Sequence, residues 1–156
     1  MYSNKLICDI LNFINENINS KITIEELENK FFYNRFYIMK LFKKELNITI
    51  IEYINSIRIY NSIHNMKNSN DPLIKISLNN GFYSLEYFCE TFKKITQLKP
   101  YVFKKFFKNS KKISENDISQ IEKTIIKLFE INNIKENYIS KQKPKVYPVK
   151  KLSIFK

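Results

Sequence analysis

The sequence predicts an all-α protein, and three observations carry that prediction. Its 156 residues include one glycine, Gly81, and four prolines, too few turn formers for a β sandwich or barrel. Apolar residues recur at three- and four-residue spacing along most of the chain. Two Thr-x-x-Glu boxes, Thr23 to Glu26 and Thr49 to Glu52, stand where helices should begin, the Thr hydroxyl taking a backbone N–H while the Glu reaches back.

Composition narrows the class further. With 44% hydrophobic residues, 13 Phe and 10 Tyr, the chain has enough apolar surface for a packed core. Its length suits one ordinary domain, or two small ones sharing a helix. The formal net charge of +12 points to a polyanionic partner, either nucleic acid or an acidic membrane surface. Cys8 and Cys89 have no metal-ligand spacing and His64 is the only histidine, so no metal or cofactor is expected and the thiols read as reduced. No signal-peptide pattern opens the chain and no apolar run reaches the roughly 18 residues of a membrane span, which predicts a soluble cytoplasmic protein.

In chain order, residues 4–18 carry Leu6, Ile7, Ile10, Leu11, Ile14 and Ile18 at helical spacing. A short helix follows the first capping box, turning Ile24 and Leu27 inward and stopping near Phe31, Phe32 and Tyr33. Asn34 caps a third helix over 35 to about 46, which closes on Phe42-Lys43-Lys44. The second capping box opens a longer helix to about Met66, with Tyr53, Ile54, Ile57, Tyr60 and His64 along one side. Its roughly 17 residues make a rod of about 25 Å.

Asp71-Pro72 then reads as N-cap and first helical residue of a short helix carrying Ile74, Ile76 and Leu78. Gly81 supplies a left-handed turn, Ser84 caps the next helix, and Leu85, Phe88 and Phe92 face inward before Phe92-Lys93-Lys94. Helix, glycine turn and helix form a helix-turn-helix pattern. The two Phe-Lys-Lys triplets lie 50 residues apart, each closing the second helix of such a unit, so the chain contains a degenerate internal repeat. The position corresponding to Gly81 in the first unit is Phe32, so the first turn is expected to have a different geometry. Lys99-Pro100 starts a further helix through Phe107, packing Val102, Phe103 and Phe106.

The domain organisation expected is a double helix-turn-helix domain over 1–108 and a basic C-terminal extension over 109–156. The extension should hold one helix at about 114–133, with Ile118, Ile121, Ile125, Leu128 and Phe129 on one face. From Tyr138 a Lys-rich tail follows, with possible short strands at 145–149 and 152–155. Residues 1–108 hold 16 basic and 10 acidic side chains, residues 109–156 hold 11 and 5, so the extension is denser in positive charge.

These features resemble the DNA-binding domain of the AraC/XylS transcriptional regulators. The matching residues are Ile24 to Leu27 with its capping box, Leu41-Phe42-Lys43-Lys44, Glu52-Tyr53-Ile54 with Arg58, Ile76 to Gly81-Phe82, Tyr87-Phe88, Phe92-Lys93-Lys94 and Pro100. They span about residues 5–107. The resemblance implies two helix-turn-helix subdomains joined by a long central helix, with the second helix of each unit in one of two adjacent major grooves of duplex DNA. It implies Arg35, Phe36, Met39 and Lys40 as groove-facing residues of the first unit, and Leu85, Glu86, Cys89 and Glu90 as those of the second. Asn34 and Ser84 would sit near phosphates, as could Lys43, Lys44, Lys93 and Lys94. Gly81 and Pro100 would be structural. The family further implies a non-enzymatic activator that contacts RNA polymerase, with a monomeric DNA-binding domain.

The chain departs from the family in three places. Glu86 and Glu90 put carboxylates in the second reading helix, where polar or basic side chains are common. Specificity is therefore expected mainly from the first unit. Asn47 and Gln97 replace family glycines. Other roles compete with the functional ones: Phe42, Phe88, Phe92 and the tyrosine stripe read as core, Met39 also fits a helix interface, and the terminal lysines also suit solvated helix ends favoured by the macrodipole. A second function class consistent with the charge is a basic helical module that binds an acidic protein or an anionic membrane through the extension. No nucleophile motif, paired catalytic carboxylates or Gly-rich phosphate loop supports an enzyme.

Overall fold

The computed structural model describes residues 2–142. Its helices are α1 (Tyr2–Glu16), α2 (Ile24–Phe31), α3 (Arg35–Leu46), α4 (Ile50–Asn68), α5 (Leu73–Asn79), α6 (Leu85–Thr96), α7 (Pro100–Lys108), α8 (Glu115–Asn132) and α9 (Ile134–Gln142), with a 3₁₀ turn at Ser110–Lys112. No strand occurs among the described residues, and the possible strands at 145–149 and 152–155 lie outside them.

Local chemistry sets most of the boundaries. Both capping boxes form: Thr23 Oγ1 accepts from Glu26 N at 3.1 Å while Glu26 Oε2 accepts from Thr23 N at 2.8 Å, and Thr49 and Glu52 repeat the exchange. Asn34 and Ser84 cap α3 and α6, and Pro100 is the first residue of α7. Asp71 is not a cap, contrary to expectation. Pro72 takes the N-cap position with extended ψ, and the Asp71 carboxylate instead accepts from Lys75 Nζ at 3.0 Å.

Two hydrophobic cores share α4. The first gathers Leu6, Ile7, Ile10, Leu11 and Ile14 of α1 with Leu27, Ile38, Leu41, Phe42, Ile50, Tyr53, Ile54 and Ile57. The second gathers Ile59, Ile63 and Met66 of α4 with Ile76, Phe82, Phe88, Phe92 and Phe103. A helix buried on several sides has no single apolar face, so α4 also buries Ser56, Ser62 and Arg58. At 19 residues it is a rod of about 28 Å.

The extension joins both cores. Ile121 and Leu128 of α8 are buried in the second, and Tyr138 of α9 is buried in the first, with Ile131 and Ile134 packed beside it. Two expectations are corrected here. Phe129 is 54% exposed, because it lies about 100° around the helix from Leu128. Residues 134–142 are helix rather than tail, since docking of Ile134 and Tyr138 on the first core stabilises a segment whose own sequence has little amphipathic pattern.

At the centre, the Arg58 guanidinium donates from Nε to Ile18 O at 2.9 Å and from Nη2 to Ser20 O at 2.7 Å. These carbonyls belong to the loop between α1 and α2. Gly81, at φ +84°, lies against the same group: a Cβ there would stand 2.8 Å from Ile18 O and 2.9 Å from Arg58 Nε. The turn is also closed by its own backbone, with Gly81 N donating to Leu78 O and Phe82 N to Ser77 O.

Gly81→Val should therefore destabilise the domain by at least about 2 kcal/mol, from backbone strain and the lost space together; an unchanged melting temperature would refute the assignment. Tyr53 supplies a second check. Burial is the main cause that pushes its hydroxyl up to about 12. The unfolded phenol ionises near its ordinary value of about 10, so this stability is complete below pH 10 and is lost as pH rises from about 10 to 12. Tyr53→Phe should flatten that alkaline limb in urea melts taken at stepped pH.

Candidate nucleic-acid interface

The 3.6-residue period decides which side chains of α3 face outward. Ile38, Leu41 and Phe42 point into the first core, which leaves Phe36, Met39, Lys40 and Lys43 on the opposite face at i, i+3, i+4 and i+7. Phe36 is 74% exposed and Met39 42%. Neither side chain is among those packed against the first core. Lys44 is exposed beside Lys43 in the last turn.

Arg35 is exposed but not free. Its Nε and Nη2 donate to Glu28 Oε2 at 3.0 and 2.8 Å, and its backbone N–H donates to Glu28 Oε1 at 3.1 Å. That backbone bond first, and then the guanidinium, hold the Glu28 carboxyl below its ordinary range. The pair locks the end of α2 to the start of α3. Asn34 Oδ1 accepts from Phe36 N at 2.9 Å, fixing the first turn of α3.

In α6, Phe88, Thr91 and Phe92 are inward, and Glu86, Glu90, Lys93 and Lys94 are exposed. Leu85 and Cys89 are half-buried and pack against the second core, so only part of each reaches the surface. Burial, with a smaller effect from Glu86, raises the Cys89 thiol above its ordinary value. Ser84 Oγ accepts from Tyr87 N at 3.1 Å. The outward face of α3 is thus aromatic, sulfur-bearing and cationic, whereas that of α6 begins with two carboxylates and turns cationic only in its last turn.

The two turns differ as expected, but not by avoiding the left-handed conformation. Phe32 adopts it, at φ 59° and ψ 33°, with its N–H donating to Glu28 O at 3.0 Å. Asn47 and Gln97, the two residues expected to replace glycines, are also left-handed, at φ 57° and 65°. Three residues, 32–34, join α2 to α3, whereas five, 80–84, join α5 to α6, so the first turn is shorter by two. The side chain of Phe32 is 90% exposed.

Sequence reasoning missed a second repeat at this surface. Tyr33 stacks on Tyr37 at 5.4 Å between ring centroids, and Tyr83 stacks on Tyr87 at 4.8 Å. The pairs stand 50 residues apart, in register with the Phe-Lys-Lys triplets, and that spacing was the available signal. Tyr87 is anchored by a bond from Asn55 Nδ2 at 3.1 Å, while Tyr83 is 78% exposed.

Two cavities among the described residues lie away from the outward face of α3. One of about 430 Å³ is lined by Asn19, Asn61, His64, Asn65, Ser69 and Asp71, among others. Ser69 Oγ donates to Asn65 O and accepts from Asp71 N at 3.3 Å, and the Asp71 carboxylate accepts from Lys75 Nζ. A smaller one of about 280 Å³ is lined by Leu73, Cys89, Glu90, Lys93, Lys99, Pro100 and Tyr101. Among the described residues, no three or more His, Cys, Asp or Glu gather to hold a metal ion, and no helix is long and apolar enough to cross a membrane.

Comparison with known proteins places this geometry. A family model described as a helix-turn-helix domain matches residues 27–105. An uncharacterised HTH-type transcriptional regulator of Bacillus subtilis, YbfP, is 28% identical over 123 residues, which cover 79% of this chain but only 41% of that protein. The multiple antibiotic resistance protein MarA of Escherichia coli is 26% identical over 95 residues, 61% of this chain and 75% of MarA. Among solved structures, the C-terminal domain of AraT, a response regulator from Geobacillus stearothermophilus, superposes with a TM-score of 0.62 over 70% of this chain and 88% of that one. At 21% identity that likeness shows the fold alone. A Listeria innocua protein superposes with a TM-score of 0.60 at 28% identity, over 63% of this chain and 93% of that one.

The left-handed phenylalanine gives a clean test of the first turn. Phe32→Gly removes strain from an exposed residue without opening a cavity, and should raise stability by up to about 1 kcal/mol, part of the gain being offset by the freer unfolded chain. A lower melting temperature would mean that the ring is held by neighbours its exposure does not suggest.

Proposed function

Because this chain belongs to the helix-turn-helix family of AraC-type transcriptional regulators, we propose that it binds specific duplex DNA through α3 and α6 in two adjacent major grooves. The observation that carries this reading is the outward face of α3. Phe36 and Met39 are of a kind that packs on thymine methyl groups, and Lys40 of a kind that donates to guanine O6 and N7. Arg35, tied to Glu28, acts mainly by holding α3 against α2 and offers the duplex its remaining donor. Asn34, Ser84, Lys43, Lys44, Lys93 and Lys94 contact phosphates, which sets register rather than sequence.

The second unit reads more weakly. Leu85 and Cys89 expose only part of their surface, and Glu86 and Glu90 accept from cytosine N4 where they meet it and repel phosphate elsewhere. The net charge of +12 supplies the long-range attraction that brings the duplex in. In this reading the protein acts in the cytoplasm as a monomeric DNA-binding unit, and it activates transcription by contacting RNA polymerase. No cofactor enters the proposal.

The test is selection of duplexes from a random library by the purified chain, followed by titration. The selected site should bind about 10³-fold or more tighter than unrelated duplex, with affinity falling steeply as salt rises. Equal affinity for every duplex would favour a basic interaction module instead. Joint replacement of Phe36, Met39 and Lys40 by alanine should abolish the preference while leaving most non-specific binding. Replacing Lys93 and Lys94 should weaken all duplexes alike and lower the salt slope by about 1 for each phosphate no longer neutralised.

A further inference from the structure

Residues 115–142 lie beyond the matched family segment, and they hold both reading helices at the same end. At α6, Gln120 Nε2 and Thr124 Oγ1 donate to the carbonyl of Thr96, the last residue of the helix, at 3.0 and 3.4 Å. At α3, the Tyr138 hydroxyl lies 3.2 Å from both Glu45 Oε2 and Asn4 Oδ1, its one proton shared between them. Glu45 is the next-to-last residue of α3. Thr96 corresponds to Leu46 in the 50-residue repeat, so the two anchors fall one residue apart on equivalent helices.

The link between the anchors is stiff. α8 and α9 meet at Asn133, whose backbone is itself near-helical at φ −88° and ψ −1°. Its N–H donates to Phe129 O at 3.1 Å and its carbonyl accepts from Asn137 N at 3.0 Å, so helical bonding runs through the junction. Ile121 and Leu128 root one end in the second core, and Ile131, Ile134 and Tyr138 root the other in the first.

A single rod such as α4 fixes the distance between two reading helices better than it fixes their rotation about the rod. A second connection, anchored at both helices, fixes the rotation as well. On B-DNA these quantities are coupled, because one base pair moves a groove contact by about 3.4 Å and turns it by about 34°. We propose that residues 115–142 set the angle between α3 and α6, with Gln120, Thr124 and Tyr138 as the positioning residues, and so make the spacing of the two groove contacts part of the specificity of this chain.

The proposal rests on the reading that both helices enter adjacent grooves, and the experiment separates the two. From the site selected by the full chain, variants are made with one base pair added or removed between the two half-sites. Binding is compared for the wild type, for Tyr138→Phe, and for a chain with two glycines inserted between Asn133 and Ile134. The insertion keeps both anchors and uncouples them, while Tyr138→Phe keeps the ring in its core and serves if the insertion fails to fold. Circular dichroism melts establish which variants are folded.

The wild type should lose about 30-fold or more on either spacing change, and the variants about tenfold or less, with affinity for the original site little altered. Equal penalties in all folded proteins would overturn the proposal and leave the DNA-binding reading intact. Failure to select any site would overturn both.

Discussion

One buried guanidinium ties the loop that closes the first unit to the turn of the second, near the middle of α4. Arg58 sits near the middle of α4, reaches the carbonyls of Ile18 and Ser20 in the first unit, and lies against Gly81 in the turn of the second. Burial is the main influence on it, weakening its hold on its proton, but an arginine stays charged under ordinary conditions. The cost of that burial is offset by two bonds to backbone carbonyls of the loop that closes the first unit. Charge-assisted bonds of this kind contribute about 1.5–3 kcal/mol each, and truncating the arginine takes the donor from both acceptors. The glycine follows from the arginine, since any side chain at residue 81 would displace the group that joins the units.

Around that centre the two halves are similar in backbone and different in surface. Both α3 and α6 are capped by a short polar side chain, carry a stacked tyrosine pair at the start and hold two lysines in the last turn. The difference lies in what each leaves exposed. In α3 the core uses Ile38, Leu41 and Phe42 and frees Phe36 and Met39, whereas α6 turns Leu85 and Cys89 partly inward and shows Glu86 and Glu90. At physiological ionic strength charges interact over about 8 Å, so the lysines closing α6 attenuate but do not cancel the field of Glu86, two turns away. The overall positive charge and the local negative charge therefore act at different ranges.

The parts of this fold that were legible in the sequence are those decided by nearby residues. The caps at Thr23, Asn34, Thr49 and Ser84 were readable because a side chain and the N–H it accepts from lie two or three residues apart. Gly81 was readable because one glycine in 156 residues marks a position that other residues fit poorly. What was not legible depends on distant partners. The Arg35–Glu28 pair bridges a turn over seven residues, and Arg58 finds its carbonyls about 40 positions away. α9 is held by the first core rather than by its own periodicity, and Phe32 takes the left-handed C-cap position of α2 although its side chain disfavours that conformation. Of the candidate interface, the outward residues of α3 came from the resemblance to the family, and the tyrosine stacks required the geometry.

The seating of Tyr138 beside Asn4 closes a loop of 134 residues. Chain synthesis proceeds from the N-terminus, so α1 to α4 emerge and pair while the side chains that finish their core have yet to be made. The second core, by contrast, draws on residues 59–128 and so can close before α9 arrives. Loop-closure entropy grows only slowly with length, so the late contact costs little in final stability, but it delays completion. The first unit is thus synthesised before the second and sealed after it, and the surface awaiting Ile134 and Tyr138 stays open to other partners in the interval.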